Sequence, residues 1–118
     1  MTGGAERYTV QHEPGQSRYV LLDRGAGDAE AREIGEESYV DVGTERVLFH
    51  TFVSDDFAGQ GLASVLVRAV VEDTISSGLR IAAVCPYVAA WLPKHPEYSA
   101  HVAQRRPEHG AAVRARVG

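Results

Sequence analysis

A single mixed α/β domain, with antiparallel N-terminal strands followed by a β-α-β crossover and short C-terminal helices, is the fold class this sequence predicts. Three observations carry that reading. Tyr8, Val10 and His12 alternate with polar residues, as do Tyr19, Leu21 and Asp23, and the Glu13-Pro14-Gly15-Gln16 stretch between them reads as a hairpin connection. Residues 46–53 form a β-branched and aromatic run. They are followed by a segment of helical period and then a second β-rich run at residues 79–85. With 118 residues, the chain has room for one domain with a real core and not for two.

Between the hairpin and the crossover, residues 30–41 read as extended through Ala31, Ile34, Tyr39 and Val40, with Gly35 marking a bulge or bend. Gly43-Thr44 turns the chain. The near-continuous apolar character of residues 46–53 predicts a central strand covered on both faces. Ser54-Asp55-Asp56 ends it, and Phe57-Ala58-Gly59-Gln60-Gly61 leads into a helix over residues 61–76, with Leu62, Val65, Leu66, Ala69, Val70 and Asp73 at helical spacing. Ser76-Ser77-Gly78 stops that helix. A strand, a helix of this length and another strand make a crossover whose two strands run parallel. Residues 87–92 read as a short helix ended near Pro93, and Pro96 opens another.

Composition excludes several classes. Hydrophobic residues make up 44% and charged residues 24%, the balance of a globular protein. No run approaches the length of a membrane span, and the opening MTGGAERYTV lacks a basic segment followed by an apolar one, so a cytoplasmic location is expected. Residues 1–104 hold fifteen acids against eight Lys and Arg, whereas residues 105–118 hold four arginines and one acid. An acidic body disfavours a nucleic-acid surface and favours basic or amine-bearing partners. The segment from residue 105, with Pro107 and two glycines, reads as a flexible basic tail outside a domain of residues 1–104. Glu36 and Glu37 are expected to face water.

The chemistry lies at the strand ends of the crossover. Gly59 and Gly61 let the main chain curl, so that the N–H groups of residues 60–64 converge at the positive end of a helix dipole, an arrangement suited to phosphate oxygens. The same pattern also makes a plain tight connection. It is neither a P-loop nor a dinucleotide fingerprint. Cys85, the lone cysteine, excludes an internal disulfide and reads either as a small buried hydrophobe or as a reactive thiol. His50 reads either as a general base or as a structural strand residue. Tyr87 is a proton donor or a packing aromatic, and Lys94 lies in a Pro-bounded segment with His95. His12, His101 and His109 are too scattered to suggest a metal, and none is expected.

FHTFV, FAGQGLAS and GLRIAAVCPYVAAWLPKHPEY, in this order and spacing, resemble the short, single-domain branch of the GNAT acetyltransferase superfamily, often called the YjdJ type. The resemblance covers residues 49–98. It implies a GNAT-like mixed sheet that binds acetyl-CoA (coenzyme A), with Phe49, Thr51, Phe52 and Val53 along the pantetheine arm and Gly59, Gln60, Gly61, Leu62, Ala63 and Ser64 around the pyrophosphate, aided by Tyr87 and Lys94. One position departs from the superfamily's Gln/Arg-x-x-Gly-x-Gly/Ala turn: Ala58 stands where an amide or basic residue is usual, while Gly61 and Ala63 fit. Phosphate binding would then rest on backbone amides. The implied reaction is acetyl transfer to an amine, on a small molecule or a protein lysine, by direct attack on the thioester. An acetyl-Cys85 intermediate, with His50 as base, is the second route. A non-catalytic module that binds or senses coenzyme A is the alternative in a different class.

Overall fold

The computed structural model describes residues 7–25 and 30–117. Five strands, β1 (Tyr8–Glu13), β2 (Arg18–Asp23), β3 (Arg32–Val42), β4 (Glu45–Val53) and β5 (Arg80–Ala83), form one sheet in chain order. Three helices, α1 (Leu62–Ser76), α2 (Pro86–Trp91) and α3 (Pro107–Val117), complete the regular structure, with tight single turns at Pro14–Gln16, Asp55–Phe57, Leu92–Lys94 and Pro96–His101. β1 to β4 pair antiparallel, and β4 pairs β5 in parallel across the α1 connection, as the crossover pattern predicts.

Two irregularities set the phase of the side chains. Leu21 and Leu22 of β2 face Gly35 and Glu33 of β3, leaving Ile34 as the extra residue of a bulge. A Cβ on Gly35 would come within 2.7 Å of the Phe52 carbonyl oxygen, so close strand approach, rather than a special φ, demands glycine there. The second slip lies between β3 and β4: Ser38 faces His50 while Tyr39 faces Leu48, and Phe49 bulges.

The expected central strand is fourth of five, because β5 is short and lies at the edge. Only its first half is covered on both faces. Glu45, Arg46, Val47 and Leu48 are buried, whereas His50 and Phe52 are exposed, Phe52 at 51%. Helix α1 buries Leu62, Leu66, Val67, Val70, Val71 and Thr74 against Tyr19, Leu21, Leu48 and Ile81. The stripe read from sequence is therefore rotated. Val65 is exposed and Val67 and Val71 are buried, because valines on both flanks of the stripe left its centre ambiguous.

A polar clasp ties α1 to the sheet. Arg46 donates to both Asp41 carboxylate oxygens, at 2.8 and 2.9 Å, and to the Tyr19 hydroxyl at 2.7 Å; that hydroxyl donates to Asp73 at 2.6 Å. Its guanidinium also lies 4.1 Å from the Tyr39 ring centroid. Burial of so strong a cation is tolerable because its donors meet acceptors and its flat face meets a ring.

The segment expected to be a flexible tail is helical, and its first turn is docked. His109 is fully buried on α3; its Nδ1 accepts the Arg106 backbone N–H at 3.1 Å, so its Nε2 carries the hydrogen given to Glu45 at 2.7 Å. Arg106 donates to the other Glu45 oxygen at 2.6 Å. Neighbouring strand residues point to opposite faces, so Glu45 reaching α3 and Arg46 reaching α1 place these helices on opposite sides of the sheet. His109→Ala leaves Glu45 short of a buried donor. It should cost about 1–3 kcal/mol in urea unfolding and speed amide exchange within α3 ahead of the sheet.

Candidate active site

The parallel ladder of β4 and β5 stops early. Pairing runs from Glu45↔Arg80 to Leu48↔Ala83, and there the Leu48 carbonyl accepts the backbone N–H groups of Val84 at 3.0 Å and Cys85 at 2.9 Å. Pro86, which has no N–H to offer, then opens α2. Residues 49–53 of β4 keep β3 on one side and have no strand on the other, among the described residues. A wedge thus opens between the strands, bounded by Cys85.

At the far end of that edge lies a cavity of about 140 Å³ lined by Val53, Ser54, Phe57, Ala58, Gly59, Gly61, Leu62 and Ala63. Gly59 and Gly61 have φ of 82° and 71°, the left-handed region where a Cβ is strained. Gly61 caps α1 and brings no side chain to its first-turn N–H groups, and no other side chain among the described residues accepts from them. Positive helix-dipole potential and free donors therefore coincide at the cavity. Of the other residues expected here, the Gln60 amide oxygen accepts from the Tyr8 hydroxyl at 3.2 Å, and the Ser64 hydroxyl accepts from Trp91 Nε1 at 2.8 Å. Tyr87 and Lys94 are exposed and line a separate cleft with Ala90 and Trp91.

Cys85 is 4% exposed, and its Sγ lies 3.1 Å from Thr51 Oγ1. Thr51 in turn donates to Glu37 Oε1 at 2.5 Å. The glutamate expected to face water is 0% exposed, and its Oε2 has no hydrogen-bond partner among the described residues. Burial pushes the Glu37 carboxyl up to about 8, against the Thr51 hydroxyl and the His50 backbone amide, which favour its charged form, and with a small push from Glu36.

His50 is not part of this group. Cα pairing sets Thr51 opposite Glu37 and His50 opposite Ser38, so the imidazole lies on the other sheet face from the thiol and is exposed. The base expected from sequence is thus misplaced for Cys85, and Glu37 was missed. Its signal was present: two adjacent glutamates in a strand cannot share a face, and Gly35 and Tyr39 fall in phase with the second.

The profile of the GCN5-related N-acetyl-transferase family matches residues 18–102. The chain belongs to that family. It shares its fold with the NMR solution structure of a GCN5-like protein from Staphylococcus aureus, at TM-score 0.61 and 26% identity over 88% of this chain and 96% of that one. Similarity to the ribosomal-protein-S18-alanine N-acetyltransferase of Escherichia coli is lower, at TM-score 0.45 and 21% identity over 64% of this chain and 41% of that chain. No curated protein matches the chain by sequence. Family membership makes this an N-acetyltransferase fold with an acetyltransferase's chemistry, as the resemblance of residues 49–98 implied. No helix among the described residues is long and apolar enough to cross a membrane.

The raised Glu37 carboxyl has a consequence for stability. Below about 4.5, its ordinary value, the group is protonated in both folded and unfolded chains; above that the unfolded chain releases the proton and the folded one holds it, until about 8. The contribution is fully present at low pH and is lost as pH rises through that window. Glu37→Gln removes the titration, so between pH 5 and pH 8 the wild type should lose, relative to the variant, on the order of a few kcal/mol in urea unfolding.

Proposed function

We propose that this protein, as a member of the short single-domain branch, binds acetyl-CoA in the wedge between β4 and β5 and transfers the acetyl group to an amine. The observation that carries this reading is the end of the ladder at Leu48, which leaves the main chain of residues 49–53 free to bond an extended, amide-bearing ligand. A pantetheine arm has that character. Its amides would pair with β4 as a missing strand does. The pyrophosphate would then rest in the cavity lined by Gly59, Gly61, Leu62 and Ala63, on the free amides of the α1 first turn.

Ala58 adds no side-chain donor, so phosphate affinity depends on the shape of the main chain. The acetyl end would lie toward Cys85, where the strands part. Acceptor choice follows from charge only in its coarsest form: residues 1–104 carry excess negative charge, which favours cationic amines such as a protein lysine or a basic small molecule.

Gly61→Val forces a β-branched residue into φ near 71° and should disorder the cradle while sparing the core, since no atom lies within 4 Å of an added Cβ there. Calorimetric titration with acetyl-CoA should show roughly tenfold or greater loss of affinity, about 1.4 kcal/mol or more. In the wild type, NMR shifts on titration should concentrate at residues 49–53 and 59–64. Unmoved amides at both segments contradict the placement, and binding without release of free coenzyme A to any amine favours the non-catalytic alternative.

A further inference from the structure

We propose that the cleft at the start of α3 is an anion site, in which Arg105, Arg106 and Arg114 hold the phosphoryl group of a small molecule. The three arginines, with Pro107 and Gly110, line an open cleft of about 500 Å³. It falls outside residues 18–102, the span that the family profile matches. Arg106 reaches Glu45, the first residue of β4, so the cleft and the free edge at residues 49–53 lie toward opposite ends of that strand. The site is therefore independent of the coenzyme placement above.

Its ground is an imbalance of charge. Two acids face the cleft, Glu45 of β4 and Glu108 of α3, and both are spent on Arg106: Nη1 donates to Glu45 at 2.6 Å and Nε to Glu108 at 3.0 Å. Arg106 Nη2 has no partner among the described residues. Arg105 and Arg114 make no ion pair or side-chain hydrogen bond among those residues either, so two guanidiniums share one cleft unbalanced. Arg114 is turned back along its helix: a Cβ on Gly110 would stand 3.4 Å from its Nη1. The cations nearby are committed elsewhere, Arg80 to the Val102 carbonyl and Arg116 to the Gln16 carbonyl, each at 2.9 Å. Buried His109 gives its Nε2 hydrogen to Glu45.

The chemistry of the lining selects the occupant. Guanidinium forks present paired N–H donors that fit phosphate oxygens two at a time. Two unbalanced cations match a phosphate monoester, which is close to a dianion at neutral pH. No aromatic side chain lines the cleft, so a nucleobase has nothing to stack on, and the acidic excess of residues 1–104 repels a long polyanion. A compact phosphoryl group is what remains. The helix start contributes little, since Pro107 has no N–H and the Arg106 N–H is given to His109 Nδ1. Arginine side chains therefore define the site.

Occupancy has a structural consequence. Arg106 belongs both to the cleft and to the clamp that holds α3 on β4. An anion on its open Nη2 edge fixes the guanidinium that already grips Glu45, and it relieves the repulsion between Arg105 and Arg114. Ligand that binds the docked helix and not the detached one steadies the docking.

NMR titration of the full chain at constant ionic strength tests the site, with inorganic phosphate and glucose 6-phosphate as probes. Amide shifts should centre on residues 105–114 and saturate, and amide exchange within α3 should slow. Arg105→Ala and Arg114→Ala alter exposed side chains with no partner in the fold, and each should weaken binding roughly tenfold, the loss of a charge-assisted contact. Arg114→Lys keeps the charge without the fork and should fall between Arg114→Ala and wild type. Tighter binding of glucose 6-phosphate supports a phosphorylated metabolite as the source, and tighter binding of inorganic phosphate supports the free ion. Shifts that grow linearly without saturating, shifts confined to residues 59–64, or midpoints unchanged when both arginines are replaced by alanine overturn the proposal. A single-stranded RNA oligonucleotide that binds residues 105–114 more tightly than either probe overturns it too. Failure of acetyl-CoA to bind contradicts the coenzyme reading alone, and the phosphate titration still decides this site.

Discussion

Two backbone N–H groups on one carbonyl decide the architecture of this protein's working end. The Leu48 oxygen, by accepting from both Val84 and Cys85, terminates the parallel ladder while β4 continues for five more residues. Had β5 kept pace, the edge of residues 49–53 would have been consumed by sheet hydrogen bonds. Instead it remains available, and the chain that leaves β5 turns into α2 at Pro86 with its cysteine at the fork. The Phe49 bulge next to that point resets the side-chain phase of β4, turning Thr51 inward and His50 outward.

The rest of the structure steadies this fork. On one face α1 is held by its apolar stripe and by the Tyr19–Asp73–Arg46–Asp41 chain. On the other, α3 is pinned through Glu45, the first residue of β4. β4 is therefore clamped at its start from both sides and left open toward its end. A strand anchored in that way keeps the edge in place without occupying it, which is what a site for an extended ligand requires.

Much of this was legible in the sequence, and the failures have specific causes. The hairpin, the crossover and the glycine turn were readable because alternation, helical period and paired glycines are local signals. Gly35 announced its bulge for the same reason. Glu37 was misread because charge outweighed phase. Its burial is set by pairing with Thr51 and by bulges at Ile34 and Phe49, none visible in a composition of two adjacent glutamates. The α3 docking was missed because its partner, Glu45, lies 61 to 64 residues away in the chain, beyond any local pattern. His50 was favoured by its residue type, and only the alternation fixed by Thr51 shows that it faces away from the thiol.

The claim on which the rest depends is that the β4 edge beyond Leu48 is free until a coenzyme occupies it. Hydrogen exchange measured amide by amide along residues 49–53, with and without saturating acetyl-CoA, tests it most directly. The amides that face away from β3 should exchange quickly in the free protein and become protected in the complex, while those of Val47 and Leu48 stay slow in both. Slow exchange along that edge in the free protein, or no change on saturation, would contradict the account.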